Sequence, residues 1–341
     1  MADIKETADA LSLSAEGLPT IVWYPGHMAK AKRLIADNLK LVDVVIELVD
    51  ARIPVASANP MLKELIGKKP RLIVLNKMDL ASPAVTKDWI GYYQSQGLAA
   101  VAVDAPGGRG IKGLVKLTAK LASGRTRRLE NKGAKARAPR AMVLGIPNVG
   151  KSSLINRLAG RVKAKAENRP GVTRAKQWIH IEDGFDLLDM PGILWPKFDD
   201  PTVGLYLSYT GAISDEAIDT EPVVLHLLGW LRKNFPRDLI TRYKLELAEG
   251  ETLPEDSMAL LELIGRKRGH LEKGGIVNRD KTKKLLLKEF RAGLIGKYTL
   301  DLPPEKTEAR ETEAEDNGAG SKENRVNRKF AAGGAGQRPA P

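Results

Sequence analysis

Nine consecutive residues, Gly145-Ile146-Pro147-Asn148-Val149-Gly150-Lys151-Ser152-Ser153, have the spacing G-x-x-x-x-G-K-[ST]. Glycines at both ends let the backbone curl. The N–H groups of Asn148, Val149, Gly150, Lys151, Ser152 and Ser153 can then point together at phosphate oxygens. A helix starting at this loop adds the favourable field of its N-terminus. Lys151 would reach the β and γ phosphates, and the Ser152 hydroxyl would ligate Mg²⁺.

A second string, Asn76-Lys77-Met78-Asp79, closes the apolar run RLIVLN. Alone it reads equally well as a surface turn. Beside a phosphate loop it reads as a base-reading loop. The Asp79 carboxylate can accept from both N1–H and the 2-amino group of guanine, whereas adenine would leave it unpaired. Asn76 would brace the loop and the Lys77 stem would cover the base. The expected nucleotide is therefore GTP or GDP rather than ATP. Asp189-Met190-Pro191-Gly192 supplies the remaining acid: Asp189 for the Mg²⁺ shell and the Gly192 N–H for the γ-phosphate. Thr173, behind Pro170-Gly171 and just before a strand, is expected to be the switch threonine, bound to Mg²⁺ in the GTP state and released after hydrolysis.

These residues need strand ends to hold them. Asp43–Asp50, Arg71–Asn76, Leu98–Val103 and Ala141–Ile146 read as buried strands. Helical stretches, Ser82–Gln96 and Ile111–Leu121, separate them, which predicts a mostly parallel sheet covered on both faces. Gln177–Ile181 and Phe185–Leu188 form a hairpin turning at Asp183-Gly184. From residue 201 only helical periods occur: Glu221–Asn234, Ser257–Arg268 and Asp280–Leu294. Gly124–Arg140, with seven basic residues and one acid, reads as a solvated linker or a nucleic-acid contact. The resulting plan is α/β: a flexible leader at 1–20, a P-loop nucleotide domain at 21–200 with a basic linker at 124–140, a smaller all-helical domain at 201–302, and a disordered tail at 303–341.

The 341-residue chain has 43% hydrophobic residues, which excludes a wholly disordered protein. It has no cysteine, so disulfide, thiolate-zinc and cysteine-nucleophile chemistry are excluded. The net charge of +13 favours a polyanionic partner. No run is long and apolar enough to span a bilayer, and the acidic N-terminus is unlike a signal peptide. The expectation is a cytoplasmic protein without a membrane partner, and no oligomer is expected.

The order of the motifs is unusual: base loop first, phosphate loop second, switch threonine and D-M-P-G last. This order resembles the circularly permuted GTPases. Trp23-Tyr-Pro-Gly-His-Met-Ala-Lys30, Asp50-Ala-Arg-Ile-Pro54, Asn59-Pro60, Asn76–Asp79, Gly145–Ser153, Pro170–Thr173 and Asp189–Gly192 together resemble the bacterial ribosome biogenesis GTPase A family over about residues 20–300. The resemblance implies GTP hydrolysis coupled to late assembly of the large ribosomal subunit, with rRNA and ribosomal proteins as partners and a helical C-terminal domain that contacts rRNA. Turnover is expected to be slow alone and stimulated by the subunit. The resemblance also implies a base contact after the third strand, where the usual Ser-Ala pair is here Asp104-Ala105. Ala105 can offer its N–H, and Asp104 can brace the loop as an acceptor.

Ile193 occupies the place where many GTPases carry a water-orienting glutamine, so either hydrolysis is slow or another group supplies the orientation. The resemblance points to His27. As a neutral imidazole it could orient or deprotonate water; as a structural residue it could cap the first helix. Asn148 likewise has two readings: a K⁺-holding asparagine, as in potassium-stimulated GTPases, or a residue that fits the loop turn. A GTPase that binds a ribosomal subunit and is released after hydrolysis and a GTP-gated RNA-binding scaffold with negligible turnover both stand at this point, while the lack of a membrane segment or lipidation motif counts against a signalling or membrane-remodelling GTPase.

Overall fold

A computed structural model describes residues 28–131, 137–160, 177–181, 184–190, 192 and 200–304. The leader 1–20, His27, Thr173 and Ile193, and the tail from residue 305, lie outside the described residues.

The buried apolar runs become strands. β1 (Val44–Asp50), β2 (Arg71–Asn76), β3 (Ala99–Val103), β4 (Arg140–Gly145), β5 (Gln177–Ile181) and β6 (Phe185–Asp189) form a six-stranded sheet in the order β3-β2-β1-β4-β6-β5. All neighbours are parallel except β5 and β6. Alternate side chains sort to opposite faces. Val44, Ile46, Leu48, Val74 and Val143 pack with Leu114 of α4 (Ile111–Glu130) and Leu154 of α5 (Lys151–Leu158). On the other face, Val45, Met142 and Leu188 meet Ile35 of α1 (Met28–Leu39) and Leu62 of α2 (Pro60–Ile66). Val49, Ile73 and Leu75 meet Trp89 of α3 (Pro83–Ser95).

α4 departs from expectation. It runs to Glu130 rather than stopping near Leu121, so the first part of the basic stretch is helical. Arg, Leu and Glu are good helix formers, and a lone Gly124 costs only about 1 kcal/mol relative to alanine.

Beyond residue 200 the described chain is helical: α6 (Pro201–Thr210), α7 (Thr220–Asn234), α8 (Pro236–Tyr243), α9 (Ser257–Lys267) and α10 (Arg279–Arg291). Asp200, Asp219, Asp256 and Asn278 cap α6, α7, α9 and α10 through their side chains. A strap at Thr299–Asp301 returns to the sheet. Leu300 N–H donates to the Arg52 carbonyl at 2.7 Å, and Asp301 Oδ2 accepts from the N–H groups of Val55 and Ala56 at 2.9 and 3.0 Å. Trp89 Nε1 donates to the Asp301 carbonyl at 3.1 Å. Pro303, expected to open an unpacked tail, is buried.

Burial pushes the Asp301 carboxyl up to about 7, against the lowering effect of those backbone donors. The folded state therefore keeps a proton that the unfolded chain loses near 3.8. The stability this group contributes is full at low pH and is lost as pH rises through about 7. The thermal midpoint of the unaltered protein should accordingly fall relative to that of Asp301→Asn between about pH 5 and pH 8. Midpoints that stay parallel across this window would contradict it.

Candidate functional site

In a parallel sheet, the carboxyl ends of the strands form the ligand edge. Here β1 ends at Asp50, β2 at Asn76, β4 at Gly145 and β6 at Asp189, which gathers the separated motifs on one edge. The phosphate loop turns from β4 into α5. Asn148 and Gly150 both take positive φ, +55° and +100°. That reversal of handedness turns successive N–H groups into one concavity. Gly150 is required twice, by its φ and because a Cβ there would lie 2.3 Å from Asn76 Nδ2.

Lys151 is held within this concavity. Its ammonium donates to the carbonyls of Gly145 and Ile146 at 3.2 and 2.6 Å. Burial pulls its pKa down to about 8; Asp189 attracts the charge and Lys77 repels it. Burial raises the Asp189 carboxyl, and Lys151 and the Met190 N–H oppose that rise. Gly192 closes over the lysine: a Cβ there would stand 2.6 Å from Lys151 Nζ and 2.9 Å from Pro147 N. Ser152 and Ser153 occupy the first turn of α5 and are partly exposed.

The base loop is fastened to the phosphate loop. Asn76 Nδ2 donates to the Val149 carbonyl at 2.8 Å, and Lys77 Nζ to the Asn148 carbonyl at 2.8 Å. The same ammonium pairs with Asp50 at 3.0 Å. Spacing alone gave Lys77 only its stem as a cover for the base; it missed this task of the charged end. Arg52 grips Asp50 through Nε at 2.9 Å and Nη2 at 2.7 Å. Burial would raise the Asp50 carboxyl, but Arg52 and Lys77 outweigh it and hold the group well below the usual carboxylate range. Burial lowers Lys77 in turn, against the pull of Asp50. Asp79 stands partly exposed at the end of this loop. After β3, Asp104 accepts from the Gly107 N–H at 2.8 Å and pairs with Arg109 at 3.2 Å, while Ala105 is fully buried.

Asn148 contributes a contact that neither reading of the sequence contained: its Nδ2 donates to the Gly211 carbonyl at 2.8 Å, linking the phosphate loop to the end of α6. α1 bears on the catalytic expectation. Lys40–Asp43 join it to β1 at the edge where the parallel strands begin, so across the sheet its N-terminal end is directed to the ligand edge. His27 precedes Met28 in sequence.

Residues 140–249 match the model of the 50S ribosome-binding GTPase family. The chain is 50% identical over 287 residues to ribosome biogenesis GTPase A of Priestia megaterium, covering 84% of this chain and 98% of the relative. The chain belongs to the ribosome biogenesis GTPase A family. Ribosome biogenesis GTPase A of Thermotoga maritima is 30% identical over 285 residues, covering 84% of this chain and 95% of that one. The solved structure of GNP-bound YlqF from Thermotoga maritima superposes with a TM-score of 0.54 at 27% identity, over 81% of this chain and 99% of that one. As a member of this family the chain is a GTPase with a role in ribosome biogenesis, and uses GTP, GDP and Mg²⁺. The scaffold reading without turnover is thereby set aside. Among the described residues, no helix is long and apolar enough to cross a membrane.

Proposed function

We propose that this family member assists late assembly of the large (50S) ribosomal subunit by binding it in one nucleotide state and leaving after hydrolysis. The observation that carries the site assignment is the joining of the two loops through Asn76–Val149 and Lys77–Asn148, each at 2.8 Å, beside the half-buried Lys151. A concavity of N–H groups, the Lys151 cation and a glycine at 192 with no room for a Cβ suit a triphosphate. In this reading Asn148 to Ser153, with Gly192, hold phosphates; Asn76, Lys77, Asp79, Asp104 and Ala105 shape the guanine pocket; Ser152, Thr173 and Asp189 hold Mg²⁺. When bound, Mg²⁺ supplies charge neutralisation between phosphate oxygens. His27 orients water or takes its proton, because Ile193 can do neither. K⁺, if used, would be held by Asn148 Oδ1, since Nδ2 is engaged with Gly211.

The ribosome-facing surface in this reading is residues 201–302, with α10 foremost. Lys281, Lys284 and Lys288 are exposed at intervals of three and four, hence on one side of the helix. Burial lowers the pKa of His270, and the nearby Lys281 and Arg268 lower it further, so the positive field extends to the end of α9. Each phosphate contact releases counterions.

Co-sedimentation with large subunits tests this reading. A non-hydrolysable GTP analogue should support binding and GDP should weaken it. Affinity should fall steeply with salt, and Lys284→Ala should reduce the slope of log K against log salt by about 1. A protein that ignores the particles in both nucleotide states at low salt would overturn the proposal.

A further inference from the structure

The phosphate loop and the helical unit share a closed circuit of polar contacts. Asn148 Nδ2 donates to the carbonyl of Gly211, the left-handed cap of α6 at φ +75°. Arg291, near the end of α10, fixes that helix end. Its Nε donates to the Tyr209 carbonyl at 3.0 Å, its Nη2 to the Ser208 carbonyl at 2.7 Å, and its fork engages Asp215 at 2.8 and 2.6 Å. The Arg291 carbonyl in turn accepts from Arg52 Nη1 at 3.4 Å. Arg52 holds Asp50, Asp50 pairs with Lys77, and Lys77 returns to the carbonyl of Asn148. Both the side-chain amide and the backbone carbonyl of Asn148 are therefore fixed by this circuit.

We propose that Arg291 is a positioning residue for the nucleotide site, acting through Gly211 and Asn148, and that nucleotide binding and the seating of the helical unit are coupled through this contact. The proposal rests on the reading of Asn148–Ser153 as the phosphate site. Asn148 adopts φ +55°, a conformation that a residue with a side chain takes at some cost. Its bond to Gly211 offsets that cost and keeps the loop in the shape that directs its N–H groups inward. Without Arg291, the terminal carbonyls of α6 lose their charged donor and the Gly211 acceptor is no longer held still. Nucleotide must then order the loop at the expense of its own binding energy. Coupling of this kind is reciprocal, so nucleotide must also steady the end of α6.

The test is a double-mutant cycle on the full chain, read as dissociation constants for fluorescent GDP and a fluorescent non-hydrolysable GTP analogue. Arg291→Gln cannot bridge two carbonyls and Asp215. Asn148→Gly keeps the positive φ at no cost and deletes the amide. Each should weaken binding by about 5-fold or more, and the double variant should bind no worse than the weaker single. Unchanged affinity in Arg291→Gln, or losses that multiply in the double variant, would overturn the proposal. Should Arg291→Gln lose cooperative unfolding, Asp215→Asn takes its place under the same criterion, because it loosens Arg291 from the solvent side alone. A Lys151→Ala control separates the two levels: if it binds nucleotide normally, the phosphate-site reading is what fails.

Discussion

Asp79→Asn is expected to turn this guanine-specific protein toward xanthine nucleotides. The carboxylate would accept from two guanine donors, N1–H and the 2-amino group. An amide can accept from one and presents an N–H to the other, leaving a donor facing a donor. A hydrogen bond to a charged group contributes about 1.5–3 kcal/mol and a buried donor left unsatisfied costs about 1–3 kcal/mol, so the change should weaken GTP by about 10²–10⁴-fold. Xanthine carries a carbonyl where guanine carries its amine, which suits the amide N–H of the variant. Competition of GTP, XTP and ATP for the unaltered and variant proteins measures this directly. The rest of the pocket should survive the change, since Asn76 and Lys77 are fastened to the phosphate loop rather than to Asp79. Equal binding of ATP and GTP by the unaltered protein would remove the base assignment altogether.

His27→Ala is the second change with a large expected effect. Isoleucine at 193 cannot hydrogen-bond to water, so the orienting group must come from elsewhere in the chain or from the ribosome. The orientation of α1 supports His27, because the N-terminal end of that helix is directed to the edge that holds Gly145 and Asp189. Removing one positioned acid–base group typically costs about 10²–10⁴-fold in rate. Subunit-stimulated turnover should fall by about that factor while GTP affinity stays close to that of the unaltered chain. A variant with weak GTP binding would make His27 a structural residue. Normal stimulated turnover would assign the water to rRNA, to K⁺ or to another side chain.

What local sequence could show here follows from what local contacts decide. The strands were legible because a central parallel strand is buried on both faces and must be mostly apolar, as in VVIELVD and RLIVLN, where the buried Glu47 is paired with Arg71. The strings Asn76–Asp79 and Gly145–Ser153 stood out as candidates because phosphate and guanine recognition constrain short consecutive strings. α6 was not: Val203, Gly204, Leu205, Leu207, Ser208, Tyr209 and Thr210 are all buried, so it has no polar stripe to mark a helical period. α2 and α8, at seven and eight residues, span only about two turns, too few for a repeat to register. The longer course of α4 was obscured by a charge run that local periodicity could not interpret. At the site, the residues proposed to hold phosphate and base were in the motifs, but the partners of those residues were not. Lys77–Asp50, Asn148–Gly211 and Asp301 on the Val55–Ala56 backbone join segments far apart in the chain. Only the tertiary fold brings such pairs together.

The place of β1 in the sheet bears on how the chain folds as it leaves the ribosome that makes it. β1 lies between β2 and β4, and β4 is made long after β1 and β2. Synthesis proceeds at about 5–20 residues per second. A partly made chain that already holds β1, β2 and β3 therefore exposes one side of a strand that is buried along its whole length in the finished fold until β4 has emerged. The strap that covers the Arg52–Ala56 turn arrives later still, at residues 299–301. Unpaired strand edges of this kind recruit other chains. The nascent protein thus passes through an interval in which its base-reading half is open to self-association, and chaperone demand should peak before the phosphate loop is translated.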